Sequence, residues 1–150
     1  MSAALHLAGA QDMERLLPMV AAYHAEDGIA SDEARRRAGL GPLLEGSPLG
    51  AAYLIGPRVG PVGYIVVSFG WSLEFAGMDG FVDEFWIRPG VRGRGMGSEV
   101  LSALIPALEA AGLRALHLEA GTENAGAQRL YARHGFVLRD GFHLMTRVAP

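Results

Sequence analysis

Three places in this sequence carry residue types that could do chemistry. The first is VRGRGMG, residues 91–97, where Gly93, Gly95 and Gly97 alternate beside Arg92 and Arg94. It follows the strand-like run VDEFWIRP directly, and a helical pattern starts at once behind it. The first N–H groups of a helix have no internal acceptor and the helix dipole favours negative charge there, so such a loop suits a phosphate group. Glycines let the backbone approach without a Cβ in the way. A flexible turn with charged tips is the competing reading. The second place is Asp83–Glu84, two adjacent carboxylates in an otherwise apolar run, where charge needs a cause such as a polar cavity. The third is Tyr131 in NAGAQRLYARHGF, a phenol that is protonated at neutral pH and able to donate.

Spacing and composition remove several identities for the loop. A dinucleotide fingerprint needs G-x-G-x-x-G, and Ser98 stands where the third glycine belongs. All thirteen basic residues are arginine, so the phosphate lysine of a Walker loop and a Schiff-base lysine are both ruled out. With no cysteine, there is no disulfide, zinc-thiolate site or thiol nucleophile, which fits a reducing cytoplasm. His117 and Glu119 alternate with Leu116 and Leu118, but two residues are too few to argue for a metal. A net charge of −3 gives no general reason to bind nucleic acid, and RRR at 35–37 reads as a solvated helix face. The start lacks the basic and long apolar regions of a signal peptide, and no apolar stretch reaches the ~20 residues of a membrane span. Half the residues are hydrophobic and 19% are charged, which favours a folded core over a disordered chain.

The elements that must position these residues follow from periodicity. LHL at 5–7 reads as a short strand, and apolar residues at three- and four-residue steps predict a helix over 12–26, with Pro18 inside it. SDEARRRAGLGPLLEG reads as a second helix with Ser31 as its N-cap. The period then changes: 51–56, 63–70 and 81–87 are short, β-branched and aromatic, bounded by Gly and Pro, and read as three strands. GPRVGP is a hairpin turn, whereas WSLEFAGMDG is a longer connection. A helix over 95–111, a strand in LRALHLEA, a helix in NAGAQRLYARHGF and a last strand from Phe136 to about Val148 complete the chain. The order β-α-α-β-β-β-α-β-α-β predicts one α/β domain over residues 1–150, a mixed sheet with a meander first and crossovers after.

WIRPGVRGRGMG resembles the acyl-coenzyme A loop of the GNAT superfamily of N-acetyltransferases, whose signature is Gln/Arg-x-x-Gly-x-Gly/Ala. NAGAQRLYARHGF is similar to that superfamily's later motif, with its Asn at the helix start, Leu-Tyr pair and Gly-Phe exit. Within it, DEFWIRPGVRGRGMGSEVL is most similar to the spermidine/spermine (diamine) acetyltransferase branch. The resemblance implies an acyl-CoA N-acyltransferase fold with acetyl-CoA as co-substrate and no metal. It further implies that the amides of Gly93, Arg94, Gly95, Met96, Gly97 and Ser98 hold the diphosphate, with Arg92 bracing the turn. The backbone of Phe85, Trp86 and Ile87 would pair with the pantetheine arm like an added strand, which suits a ligand whose amides need partners. Asn124 would cap its helix and lie near the cofactor. The fold often dimerises through its late strands, so a homodimer is expected.

Acetyl transfer to an amine makes three demands. An alkylammonium of pKa ~10.4 must lose its proton, the developing oxyanion needs a fixed donor, and the departing thiolate needs a proton or a charge. In the family the tyrosine at the position of Tyr131 protonates the thiolate; the alternative is a packing role. Asp83 matches a glutamate that serves as base in the polyamine branch, often through water, and Glu84 is the other candidate. Neighbours on a strand point to opposite faces, so only one of the two is expected at the cavity. The amide near Ile87 would polarise the carbonyl. Tyr23, His24, Glu26, Trp71, Glu74 and Asp79 come from the first helix and the loop before the central strand, where the family builds its acceptor sites. Their aromatic and acidic character suits a cationic amine, although Trp71 could equally plug a sheet edge. The expected acceptor is the primary amine of a small molecule, whether polyamine, amino acid or related amine. A protein N-terminus, an aminoglycoside-like amine and a non-catalytic acyl-CoA-binding module are the alternatives.

Overall fold

A computed structural model describes residues 4–150, so the part of the leader reading that rests on residues 1–3 lies outside it. Five strands form one mixed sheet in the order β1-β2-β3-β4-β5: Leu5–Leu7, Gly50–Ile55, Gly63–Ser72, Gly77–Ile87 and Leu113–His117. The first four are antiparallel to their neighbours, and β5 runs parallel to β4 after a crossover through a helix. The helices are α1 (Met13–Glu26), α2 (Glu33–Leu44), α3 (Met96–Ala110) and α4 (Ala125–Arg133). No helix of the described residues is long and apolar enough to cross a membrane.

The sheet is covered on both faces, which is why β3 opens with five consecutive buried residues rather than an alternation. Leu16, Leu17, Val20, Leu40 and Leu44 of α1 and α2 pack with Leu54, Tyr64, Val66 and Trp86 on one face. On the other, Val100, Leu104 and Leu108 of α3 pack with Ile65, Val67 and Val82.

Four local expectations are corrected. Asp32, not Ser31, caps α2 by accepting from the Arg35 amide, and that frees the Ser31 hydroxyl for another partner. WSLEFAGMDG is no long connection: Ser72 pairs with Gly77, so β3 and β4 continue almost to the turn and make one long hairpin. The element order holds through α4, but residues 136–150 form no strand. Their alternating apolar residues find no ladder partner, and Val137, Leu138, Phe142, Leu144, Met145 and Val148 stay exposed.

The fourth correction concerns the two carboxylates. β3 and β4 are in register with Val66 opposite Glu84 and Val67 opposite Val82, so Asp83 is an extra residue with no partner. This is a β-bulge. In a regular strand Val82 and Glu84 would share a face. Here Val82 packs on the α3 side, whereas Glu84 bonds to Tyr64 and to His24 of α1.

Candidate active site

The bulge brings Asp83 and Glu84 to one cavity. It has a volume of ≈ 540 Å³ and lies between α1, α2 and the middle of β3 and β4. Its walls are graded: Asp83 and Glu84, then His24 and Ser31, then Arg36, over an apolar floor that includes Val20, Leu40, Leu43 and Val66.

Glu84 is fully engaged. Tyr64, itself buried, donates its hydroxyl to Oε1 at 2.7 Å, and His24 Nε2 donates to Oε2 at 2.6 Å. Behind His24, the Ser31 hydroxyl sits 2.7 Å from Nδ1, and Arg36 Nη1 donates to that hydroxyl at 3.0 Å. Burial, reinforced by the Glu84 charge it donates to, pushes the Tyr64 phenol far above its ordinary value. It stays a proton donor throughout.

Asp83 differs in both respects. Its carboxyl makes no hydrogen bond among the described residues, and the residue reaches solvent. Even so, desolvation by the surrounding protein raises its pKa above the usual carboxylate range. The Glu84 charge adds to this, as does Glu119, against an opposing pull from His24. Asp83 thus has both carboxyl oxygens free, whereas those of Glu84 are engaged.

Tyr23 lies beside this cluster, and its phenol is pushed up to about 12, first by burial and then by Asp27, Glu84, Asp83 and Tyr131. Tyr131 is carried by α4. Burial alone raises Tyr131 above its ordinary value. Its ring packs edge-on against Phe136, 5.8 Å away.

The glycine loop lies one strand-end from the carboxylates. Gly93 and Gly95 both have φ of 78°, a left-handed conformation that favours glycine. The loop's upstream amides are satisfied: Val91 donates to Arg88 and Arg92 to Pro89, while Glu99 opens the helical ladder on Gly95. The six amides between, from Gly93 to Ser98, donate to no acceptor among the described residues. Successive free N–H groups at a helix start form an anion-binding nest.

Arg92 braces this turn. Its Nε donates to the Ile87 carbonyl at 2.7 Å, and its two terminal nitrogens grip Glu26 at 2.7 and 3.0 Å. Trp86 Nε1 also donates to Glu26, which holds that carboxyl below the usual carboxylate range, Arg92 being the larger cause. β5 pairs with β4 only from Met78 to Phe81. Among the described residues no strand pairs with that edge of β4 from Val82 to Ile87, so Phe85, Trp86 and Ile87 lie on an unpaired edge that runs toward the loop. Asn124 caps α4, accepting from the Ala127 amide at 3.0 Å, and Ser98 bonds His134 at 2.8 Å to tie α4 to the loop.

Comparison with known proteins decides the family. Residues 43–136 match the acetyltransferase (GNAT) family. The chain belongs to that family. An uncharacterized N-acetyltransferase of Methanocaldococcus jannaschii is 31% identical over 93 residues, covering 59% of this chain and 41% of its own length. The chain thus spans about two fifths of that relative. The crystal structure of an integron cassette protein, from the mobile metagenome of Cole Harbour Salt Marsh, superposes with a TM-score of 0.84. It is 32% identical and covers 97% of this chain and 91% of its own. A predicted acetyltransferase of Clostridium acetobutylicum, solved with acetyl-CoA, shares the fold at a TM-score of 0.77 and 14% identity, covering 96% of each chain.

Within this GNAT chain, the expected acceptor residues divide. Tyr23 and His24 reach the acidic cluster, whereas Trp71, Glu74 and Asp79 do not. Trp71 is exposed on the far part of the β3–β4 hairpin, Glu74 pairs with Arg139 at 3.2 Å, and Asp79 pairs with His117 at 3.1 Å. Glu26 serves the cofactor-side clamp instead. Tyr64, which bonds Glu84, went unremarked in the sequence, and two lining residues were given other roles: Ser31 as an N-cap, and Arg36, with RRR at 35–37, as a solvated helix face, whereas it is half-buried against the cavity. For Arg36 a signal existed, because it shares an i, i+4, i+7 face with Leu40 and Leu43.

Proposed function

We propose that this GNAT chain transfers acetyl from acetyl-CoA to the primary amine of a small molecule, a polyamine, amino acid or related amine. One observation carries the reading: six consecutive free amides stand at the end of the strand whose bulge presents Asp83 to a cavity. The residues fit the co-substrate. Gly93 to Ser98, with Arg92 behind them, would hold its diphosphate, the open edge at Phe85, Trp86 and Ile87 would pair with its amide-bearing arm, and Asn124 would fix the start of α4 beside them. Bound there, acetyl-CoA supplies an activated acyl carbon next to the cavity.

Asp83 then takes the proton from the incoming ammonium, directly or through water, while Glu84 holds His24 and Tyr64 in place. An amide near Ile87 donates to the carbonyl oxygen as charge develops on it. The amine nitrogen bonds to the acyl carbon, the carbon–sulfur bond breaks, and Tyr131 gives its proton to the departing thiolate, whose acid has a pKa of ~8.5, while the second proton of the acylated nitrogen restores the Tyr131 phenol. A homodimer in the cytoplasm belongs to the same reading, and the exposed apolar side chains of 136–150 offer a surface for a second copy.

The test is thiol release from acetyl-CoA with polyamines, amino acids, aminoglycosides and peptides as acceptors. Tyr131→Phe should lower kcat by about 10²-fold or more and leave coenzyme A affinity within a few fold. Normal turnover in that variant removes Tyr131 from the acid role. Coenzyme A binding with no release against any acceptor leaves an acyl-CoA-binding module.

A further inference from the structure

Arg36 lines the acidic cavity, together with Arg35, and proton transfer does not use it. Its Nη1 donates to the Ser31 carbonyl at 2.8 Å and to the Ser31 hydroxyl at 3.0 Å. Its Nε–H is enclosed by protein and has no acceptor. No carboxylate of the described residues pairs with it. The nearby acids are occupied elsewhere, Glu14 and Glu33 with Arg37, and Asp32 with the Arg35 amide. A guanidinium carries five donors and remains charged at any physiological pH. Here only one nitrogen is satisfied, and the group lines a cavity whose opposite end is anionic.

The hydrogen-bond chain fixes the scale. Arg36 Nη1, Ser31, His24 and Glu84 are linked by contacts of 3.0, 2.7 and 2.6 Å, so the cation and the Glu84 carboxylate lie at most about 11 Å apart. Allowing one hydrogen bond of about 3 Å at each end leaves about 5 Å between ligand charges set at Arg36 and at Glu84, the chain neighbour of Asp83, so the ligand is a short one.

We infer that this cavity takes a short amino-carboxylate, its amine at the acidic pair, its carboxylate on Arg36, and its apolar body over Val20, Leu40, Leu43 and Val66. The inference rests on the acetyl-transfer reading and narrows it. With Nη1 committed to Ser31 and Nε enclosed, Arg36 has Nη2 left to donate to a carboxylate, and such charge-assisted bonds are the strong ones. A polyamine would instead set a second ammonium against Arg36. Arg36 is thus a specificity-determining residue, and Ser31 positions it by accepting twice.

The probes are α-amino acids, β-alanine and γ-aminobutyrate, each with its carboxamide, together with spermidine. Thiol release should favour one or more free acids over the matching carboxamide by roughly 10- to 100-fold in kcat/KM, the range expected for a charge-assisted contact. In Arg36→Gln that ratio should fall toward one through KM for the free acid, and Arg36→Lys should keep part of it. A purely structural Arg36 would lower stability without moving the ratio. A ratio near one in the unaltered protein, a preference for spermidine, or a ratio unchanged in Arg36→Gln would overturn the inference while leaving acetyl transfer intact. If no probe is acetylated, calorimetric titration of the same pairs into the acetyl-CoA-loaded protein separates the two claims. A carboxylate preference in binding that Arg36→Gln abolishes keeps the subsite and rejects transfer; its absence rejects the subsite. Should Arg36→Gln fail to fold, the ratio in the unaltered protein and in Arg36→Lys decides.

Discussion

Replacing Gly95 by glutamate tests the loop more sharply than any change to a charged side chain. Gly95 caps α3 at φ 78°, and a Cβ added there meets nothing within 4 Å. Gly95→Ala therefore brings backbone strain without a clash, a cost of about 1–2 kcal/mol. In a chain of this size that lowers Tm by roughly 2–8 °C. Gly95→Glu adds to the same strain a negative charge in the middle of the six free amides. At an effective dielectric of about 20 and a separation of about 6 Å, each like-charge pair costs about 3 kcal/mol, and a diphosphate offers two charges. Coenzyme A affinity should thus fall at least 100-fold in Gly95→Glu and only a few fold in Gly95→Ala. Calorimetric titration with coenzyme A reads both, and a thermal-shift series confirms that each variant is folded. If the two folded variants bind coenzyme A within threefold of each other, the diphosphate does not sit on these amides and the site has been misplaced.

The two carboxylates should separate cleanly. Asp83→Asn should lower kcat/KM by about 10²-fold or more without lowering Tm at neutral pH. Its folded pKa is raised, so its charged form opposes folding once the pH is above that value, and removing the charge costs no stability. The same shift predicts an acidic limb of the pH–rate profile displaced above the ordinary carboxylate value of 3.8, because only the ionised form accepts a proton. A limb at or below that value would contradict the assignment. Glu84→Gln, by contrast, strands bonds from Tyr64 and His24 and should cost about 2 kcal/mol, seen as a Tm lower by roughly 4–8 °C. Asp12 is buried between Arg15 at 2.8 Å and Arg58 at 2.7 Å. Desolvation raises its pKa, but the Gly9 amide and both arginines outweigh it and leave the net value lowered. Its stabilisation is therefore present above the unfolded value of ~3.9 and lost as pH falls through the folded one. Both arginines can rehydrate when the charge goes, so Asp12→Asn should cost about 2–3 kcal/mol, below the usual figure for breaking a buried pair. An unchanged acid-unfolding midpoint in that variant would refute this.

Periodicity exposed the element order because α1, α3 and the strands bury whole faces, and apolar spacing records a buried face directly. The nest was legible for a related reason: left-handed backbone leaves glycines behind in the sequence. The bulge left no such mark. A one-residue insertion exists only relative to the partner strand, and β3 shows no local sign that Val66 and Val67 straddle it. Strict alternation therefore separated Asp83 from Glu84, when the register brings them together. Trp71, Glu74 and Asp79 are assigned to the acceptor site only through the family's use of the loop before the central strand, a segment that here extends the β3–β4 hairpin. At about 3.3 Å per residue along a regular strand, Asp79 is instead some 13 Å from Asp83. The final strand failed for the opposite reason: residues 136–148 have a strand's alternation, but a ladder needs a neighbour, and among the described residues none pairs with them.

The last turn of α1 explains how the two halves of the site keep a fixed distance. His24 bonds Glu84 on the cavity side of β4, and Glu26, two residues on, bonds both Trp86 and the Arg92 that braces the nest. Neighbouring positions on one helix thereby hold both Glu84 and the glycine loop, each through a residue of β4 itself. Because Glu84 and Trp86 share a face of that strand, one rigid helix end can grip both at once. The bulge one residue earlier breaks the alternation, so Asp83 is released from this framework and left without a partner. The consequence is a division of labour between adjacent carboxylates. Glu84 has both oxygens committed to holding the scaffold, and that leaves the unpartnered Asp83 as the group whose oxygens are free. Two identical charges side by side in a regular strand could not be differentiated in this way, since they would face different layers and never share a cavity.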